Sequence, residues 1–221
     1  MPLFRKNKEA FDTIQPKIKK EQIYYFLHIH KCGGSSLVNY LKSAGLCAYP
    51  HSKNGNPSYL FDILPNGKVD SNCWIPFWDW SDKEQTDFYV NGGGNFYVNE
   101  WGLPSDFRPI QGITYLTLLR DPVRRVYSHY RELCAHGLNC DFRSFLDDHP
   151  FQSSNFITRI LCGRKRGNLT EIDCERAISR LESLHGVFIL EDQATDGHLK
   201  KFFRTKKSFT ESRSGSSYGT T

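Results

Sequence analysis

A short apolar run followed at once by two glycines is the feature that most constrains what this chain can fold into. Residues Ile23–Ile29 read Ile-Tyr-Tyr-Phe-Leu-His-Ile, and apolar groups on both faces are typical of a central strand in a parallel sheet. Gly33 and Gly34 come next, and either of the two serines after them can cap a helix with apolar residues at helical spacing. The segment therefore predicts a strand, a glycine loop and a helix that ends at Gly45.

A second unit of the same kind lies further along the chain. Ile113–Leu119 is a buried-strand candidate, and Asp121 with Pro122 forms an N-cap and first-turn pair for a helix that runs to Gly137. Val187–Leu190 predicts a third buried strand. The other predicted elements are a strand at 96–98, helices at 142–147 and 153–162, a helix after a capping box at Thr170 and Asp173 that buries Cys174, Ala177, Ile178 and Leu181, and a helix that reaches Phe203. Strands that alternate with helices predict an α/β fold with a mainly parallel sheet flanked by helices.

The remaining segments divide the chain into one domain with a long insertion. Residues 1–20 are rich in lysine and predict a mobile leader, whereas residues 21–207 form the domain. Residues 47–94 carry most of the Pro, Gly and Asn without a sustained period, which predicts an irregular insertion. Residues 208–221 are rich in Ser, Gly and Thr and predict a flexible tail. We interpret the aromatic cluster Trp74–Trp80 as core packing of the insertion rather than as a sugar-stacking surface.

The composition narrows the possible partners. Of the 221 residues 38% are hydrophobic, which is too many for a disordered chain. Lys and Arg outnumber Asp and Glu by 29 to 24, which suits a small anionic ligand and falls short of a dedicated nucleic-acid binder. No apolar run is long enough to span a membrane, and no signal-peptide core follows the charged first residues. We therefore expect no nucleic-acid partner, no membrane span and a cytoplasmic location, with the Golgi lumen as the alternative if the chain is a trimmed fragment.

The seven cysteines are an odd number and include no C-x-x-C pair. They predict buried free thiols in a reducing compartment rather than a zinc site or a disulfide framework. Cys134 and Cys140 would close a small disulfide loop only if the protein is exported, and Asn168 would then be a glycosylation acceptor. The sequence assigns no metal to the chain.

The glycine loop has the chemistry of a phosphate cradle. Gly33 and Gly34 let the backbone approach a phosphate closely. Ser35 and Ser36 offer hydroxyl donors, and Lys31 adds a mobile positive charge. The lysine precedes the glycines, so the pattern differs from the Walker sequence of P-loop nucleotide-binding proteins. A plain turn between strand and helix is the alternative for this segment.

A second basic group follows the strand Ile113–Leu119. Arg120 comes directly after that strand. Arg124, Ser128 and Arg131 lie on one face of the predicted helix, where an anion can dock. A solvated basic face, with Arg120 paired to a carboxylate, is the alternative. Ligands of open parallel sheets bind at the carboxyl ends of strands, so one ligand with two phosphate groups would need both sites.

Two segments resemble a known family. Phe26-Leu-His-Ile-His-Lys-Cys-Gly-Gly-Ser-Ser-Leu37 resembles the 5'-phosphosulfate loop of sulfotransferases, especially the carbohydrate group that includes the heparan sulfate 2-O- and 6-O-sulfotransferases. Leu119-Arg-Asp-Pro-Val-Arg-Arg-Val-Tyr-Ser-His-Tyr130 is similar to their 3'-phosphate motif. The two motifs occur in the family's order, and the resemblance is weaker through 153–192 and absent from the leader and most of the insertion.

The resemblance implies a P-loop-like α/β fold that binds 3'-phosphoadenosine 5'-phosphosulfate (PAPS) and transfers its sulfonate to a hydroxyl of a glycan or small molecule. By motif position, the donor's 5' end would be held by Gly33, Gly34, Ser35 and Ser36. Lys31 would neutralise the charge on the leaving phosphate oxygen, and no metal is implied. Arg120 and Ser128 would bind the 3'-phosphate. Arg125 matches the family's arginine inside this motif, although helical spacing alone favours Arg124.

The acceptor hydroxyl needs a general base. The heparan sulfate enzymes carry a histidine in the segment before the second motif, where residues 95–106 of this chain have none. Glu100, just after a short strand, is our candidate base, with Asp106 and His51 as weaker alternatives. The family has Pro where His30 stands, and we interpret His30 as a simple substitution.

Two other function classes stay open. A P-loop-type kinase would use the same cradle but needs magnesium carboxylates after a strand, for which Glu191 and Asp192 are the best-placed pair. A non-catalytic nucleotide-binding protein would keep the arginine site and need neither Lys31 nor Glu100 for its activity.

Overall fold

A computed structural model describes most of the predicted domain. The described residues are 22–48, 81, 83, 94–100, 103, 107–164 and 166–210, together with the backbone of 52–53, 56–63 and 69–74. The strands are β1 (Ile23–Leu27), β2 (Ser52–Lys53), β3 (Asn56–Ile63), β4 (Val69–Trp74), β5 (Phe96–Asn99), β6 (Ile113–Leu119) and β7 (Gly186–Ile189). The helices are α1 (Gly34–Ser43), α2 (Pro122–Ala135), α3 (Phe142–Asp148), α4 (Pro150–Ser153), α5 (Phe156–Cys162), α6 (Glu171–Ser183) and α7 (Thr195–Phe202). The predicted leader, the end of the aromatic cluster (residues 75–80), His51, Asp106 and the tail beyond 210 lie outside the described residues.

The main sheet has four strands in the order β5-β1-β6-β7, and all of its pairings are parallel. Tyr25 of β1 lies opposite Tyr97 on one side and Tyr115 on the other. The predicted α/β fold with a parallel sheet is confirmed. Because the carboxyl ends of parallel strands meet at one edge, the segments that follow β1, β6 and β7 all leave the sheet at the same edge.

The central strand β1 is buried on both faces, as its sequence predicts. Tyr25 and Leu27 belong to a core cluster that includes residues of α5 and α6. Tyr24 and Phe26 point to the opposite face and belong to a cluster with α1 and α7. Helices therefore cover both faces of the sheet, and alternate residues of one strand hold the two layers.

The insertion is more regular than the sequence predicts. Strands β2, β3 and β4 form a separate three-stranded antiparallel sheet in the order β2-β3-β4. The prediction of an irregular segment is wrong at these residues. Both pairings contain register shifts, one between Ser52 and Lys53 and one between Leu60 and Asp62. Such shifts interrupt the two-residue period by which strands are read from sequence.

The predicted N-cap of α1 is wrong, whereas the predicted N-caps of α2 and α6 are correct. No serine caps α1, because Gly33 occupies the N-cap position with φ +84° and no side-chain cap forms. At α2 the Asp121 carboxylate accepts a hydrogen bond from the backbone N–H of Arg124 at 2.8 Å, as predicted. The capping box of Thr170 and Asp173 at α6 is also confirmed.

The buried face of α6 differs from the predicted apolar stripe. Ala177 is buried and Leu181 packs against the core as expected, but Cys174 is exposed and Ile178 is 57% exposed. The helix instead buries Arg180, whose guanidinium donates to the backbone carbonyl of Leu161 in α5. A buried charged hydrogen bond thus sets the rotation of α6, which an apolar period cannot predict.

The predicted tail begins with an anchored residue. Phe209 is 2% exposed, belongs to the same cluster as α1 and packs edge-on against Tyr40. Its backbone N–H donates to the Asp196 carboxylate at 2.6 Å. The ordered domain therefore continues past Ser208, where the sequence placed the start of a flexible tail.

Within the described part of the chain, no helix combines the length and the apolar character that crossing a bilayer requires. The six cysteines whose side chains are described are free thiols, which agrees with the sequence. Only Cys32 and Cys162 among them are buried, whereas Cys47 and Cys174 are exposed. The prediction of buried thiols is therefore correct for Cys32 and Cys162 and wrong for Cys47 and Cys174.

These environments predict a large spread of thiol reactivity. Burial raises the pKa of the Cys32 thiol to about 12, so both access and thiolate formation disfavour its alkylation. In the folded protein at pH 8 we expect iodoacetamide to modify Cys32 at least about 100-fold more slowly than Cys47 or Cys174, measured by peptide mass spectrometry. Denaturant should abolish the difference. Equal rates in the folded protein would contradict the described core.

Candidate functional site

The loop between β1 and α1 has an unusual backbone conformation. Lys31 and Gly33 both have positive φ values, 66° and 84°. The left-handed region is common for glycine and costs a lysine of the order of 1 kcal/mol or more. The loop also carries Ser35, which is exposed, and Ser36, which is buried. Strained residues concentrate at functional sites, so this loop is the first candidate.

Gly34 lies directly under the ring of His28. A Cβ atom added to Gly34 would overlap the imidazole, so no other residue fits this position without displacing the ring. His28 is 8% exposed and stacks on Phe26 with 5.4 Å between ring centroids. The second glycine of the predicted cradle is therefore required by side-chain packing at the carboxyl end of β1.

Glu100, the predicted base, is brought next to the cradle. Its Oε1 lies 2.9 Å from Nδ1 of His28, and its side chain is 42% exposed. The pairing of β5 with β1 explains the proximity, since Leu27 lies opposite Asn99 and the next residue of each strand is His28 or Glu100. The sequence predicted Glu100 without its histidine partner.

Lys31 is engaged by a residue that the sequence did not assign to the site. Its Nζ lies 2.9 Å from Oε1 of Glu132, on the third turn of α2, and its side chain is 17% exposed. The backbone carbonyl of Lys31 accepts a hydrogen bond from Nη1 of Arg120 at 3.2 Å. The loop after β1 and the turn after β6 are therefore in direct contact, as a ligand with two phosphate groups would require.

Arg120 is also paired to a carboxylate at the neighbouring strand end. Its Nε lies 3.4 Å from Oε1 of Glu191, just after β7, and Oε2 of Glu191 accepts from the backbone N–H of Asp121 at 3.0 Å. A cavity of about 290 Å³ opens beside this pair. The residues that line it include Arg120, Arg124, Glu191, Gln193, Thr195 and Thr210.

Arg125 and Ser128 occupy different environments on α2. Arg125 is 1% exposed, with its guanidinium 4.3 Å from the ring centroid of Phe156 and a hydrogen bond to the backbone carbonyl of Gln152. Burial lowers the pKa of Arg125 to about 10. Ser128 is partly exposed. Of the two arginines in the motif, Arg124 is exposed, as helical spacing predicts, and lines the cavity, whereas Arg125 packs inside.

Two histidines form a cluster with Glu132 beside Lys31. Nδ1 of His30 lies 3.0 Å from Nδ1 of His129, and Nε2 of His30 lies 3.4 Å from Oε2 of Glu132. Burial lowers the pKa of His30, and burial together with the charge of His30 lowers the pKa of His129 to about 4. Burial raises the pKa of Glu132, but its hydrogen bond to Lys31 and the Lys31 charge outweigh this effect and the pKa lies below its usual value.

The sequence missed this cluster because its members are distant along the chain. His30 and His129 are 99 residues apart and come from different strand-loop-helix units. The only available signal was His30 itself, a titratable residue where the resembling family has proline.

None of the protein-family models matches the chain, and neither a curated protein nor a solved structure does.

The contact between Gly34 and His28 yields a matched pair of variants. Gly34→Ala should lower the free energy of unfolding by about 1–3 kcal/mol, because the added methyl must displace a ring that is stacked and hydrogen-bonded. Gly197→Ala, on α7 with open space around its Cα, should raise it by about 0.5–1 kcal/mol. Urea denaturation followed by circular dichroism measures both. A neutral Gly34→Ala variant would contradict the described position of His28.

Proposed function

We propose that this protein is a sulfotransferase that moves a sulfonate group from PAPS to a hydroxyl acceptor, which we expect to be a carbohydrate. One observation carries the proposal. The two segments that resemble the family's phosphate-binding motifs follow neighbouring parallel strands, and Arg120 of the second motif donates to the backbone of Lys31 in the first. A donor with phosphate groups at both ends of a ribose needs two such sites side by side.

In this proposal a P-loop-like cradle holds the donor. The first backbone N–H groups of α1 lack partners within the helix and point toward the loop, so they suit the 5'-phosphosulfate. Ser36 and the exposed Ser35 lie in the same turn. Arg120, which lines the cavity, and Ser128 would bind the 3'-phosphate. Arg125 would support them from the core, since it is buried and bonded to Gln152.

The chemistry is an in-line displacement. The acceptor hydroxyl oxygen attacks sulfur, the bond from sulfur to the 5'-phosphate oxygen breaks, and the hydroxyl proton moves to Glu100. The products are a sulfate ester and adenosine 3',5'-bisphosphate. Lys31 would neutralise the negative charge on the leaving phosphate oxygen. His28 would hold the Glu100 carboxylate in position through the 2.9 Å contact.

A non-catalytic nucleotide-binding protein is the second candidate, and the ion pair of Lys31 with Glu132 favours it. A catalytic lysine would have to exchange Glu132 for the donor.

The kinase alternative is less well supported, because Glu191 is bonded to Arg120 and Asp121, and the Asp192 carboxylate accepts from the backbone N–H of Ala194 at 2.9 Å. Neither carboxylate is positioned as a vacant magnesium ligand.

The first test is the 3'-phosphate site. Arg120→Ala should weaken the binding of adenosine 3',5'-bisphosphate by about 2 kcal/mol or more, roughly 30-fold, because a charged hydrogen bond is lost. Calorimetric titration measures it, with AMP as the ligand that lacks the 3'-phosphate. Arg143→Ala is the control, since Arg143 is 87% exposed and pairs with Asp147. Equal losses for AMP and the bisphosphate would show that the site is misassigned.

The second test separates catalysis from binding. Lys31→Ala should reduce turnover by about 100-fold or more in an acceptor screen with radiolabelled PAPS, while the affinity for the bisphosphate falls only moderately. Lys42→Ala, at an exposed position on α1, is the matched control. Tight bisphosphate binding without sulfonate transfer to any acceptor would favour the non-catalytic candidate. Unchanged turnover in Lys31→Ala would remove Lys31 from the mechanism.

A further inference from the structure

The cluster of His30, His129 and Glu132 beside Lys31 has no catalytic role in the sulfotransfer proposal. His30 follows β1, whereas His129 and Glu132 lie one turn apart on α2. One ligating atom from each residue lies within 4.8 Å of the others. His129 is 7% exposed, and the side chains of His30 and Glu132 are 33% and 23% exposed. Two imidazoles and a carboxylate therefore converge in a sheltered position that solvent can still reach.

We propose that His30, His129 and Glu132 form a binding site for a divalent transition-metal ion, with zinc as the expected ion. Two imidazole nitrogens and one carboxylate oxygen form a ligand set that Zn²⁺ takes readily and that leaves a fourth position open. Zinc bonds to such ligands at about 2.0–2.2 Å in tetrahedral geometry, which places ligand atoms about 3.3–3.5 Å apart.

The distances in the cluster approach this geometry. Nδ1 of His30 and Nδ1 of His129 are 3.0 Å apart, and Nε2, the other ring nitrogen of His30, lies 3.4 Å from Oε2 of Glu132. A set with one ligand atom per residue spans up to 4.8 Å, so an ion bound by all three residues needs the widest separation to shorten by up to about 1.4 Å. Both ligating nitrogens are already directed toward each other, with a hydrogen bond in the place that the ion would take.

The surroundings hold the ligands in this arrangement. Lys31 contacts Oε1 of Glu132 at 2.9 Å, which leaves Oε2 facing His30. The ring of His129 stacks on Phe145 with 6.0 Å between centroids. Groups that orient a ligand from outside in this way commonly raise metal affinity. The charge of Lys31 opposes a cation, while the carboxylate of Glu132 offsets it.

This proposal does not depend on sulfonate transfer, and its test uses metal binding alone. The full chain is stripped with a chelator, dialysed and titrated with Zn²⁺ in competition with a chromophoric chelator. We expect one equivalent per chain. Titration with Co²⁺ should give the visible absorption of a four- or five-coordinate site without a thiolate charge-transfer band. A thiolate band, or the absence of stoichiometric binding, would overturn the proposal.

Variants assign the site. His30→Ala and Glu132→Gln should each lower zinc affinity by about 100-fold or more, since a lost ligand costs at least as much as a lost orienting group. Both positions are partly exposed, and circular dichroism verifies that the variants are folded. His198→Ala, at an exposed histidine on α7, should leave the affinity unchanged. Unchanged affinity in both site variants would place the ion elsewhere and reject the assignment.

Discussion

The parallel pairing of β1 with β6 is the constraint on which the rest of the structure depends. Ile23 lies opposite Ile113 and Leu27 opposite Thr117, so the two strands end nearly level. The hydroxyl of Thr117 donates to the backbone carbonyl of Leu27 at 2.8 Å in a buried position, which fixes this register at its functional end. The loops that follow are therefore adjacent, and Arg120 reaches the backbone of the first loop. A slip of one residue would separate the two motifs and turn every side chain to the other face.

The sequence predicts the features that depend on near neighbours along the chain. Helices cover both sides of the sheet, so β1 and β6 are buried on both faces; in the sequence this burial is visible as an unbroken apolar run in β1 and a mostly apolar one in β6. The caps at Asp121 and Thr170 use a side chain and a backbone N–H three residues away. The sequence indicates Glu100 by its position just beyond a short strand. Because that strand, β5, pairs with β1, this position lies beside the loop that follows β1.

The contacts that define the site's electrostatics could not be predicted, because they join residues that only the fold brings together. The sequence assigns no role to Glu132, yet it pairs with Lys31 from the other unit. Arg125 and Arg180 are charged, but both are buried and donate to backbone carbonyls. Burial of a charged group is stable only with such partners, and their position is a property of the tertiary structure.

Glu132 sets the charge balance around Lys31 and His30. Its two oxygens face Lys31 and His30, so it neutralises the group that the proposed donor would need. If Lys31 binds the donor anion, less positive charge remains around the Glu132 carboxylate. The donor anion and the Glu132 carboxylate would then repel each other across Lys31. When Lys31 binds the donor, its charge no longer neutralises Glu132. A divalent cation held by His30, His129 and Glu132 would replace that positive charge. In that arrangement the proposed cation and the proposed donor would favour each other's binding, and by linkage the effect would be the same in both directions.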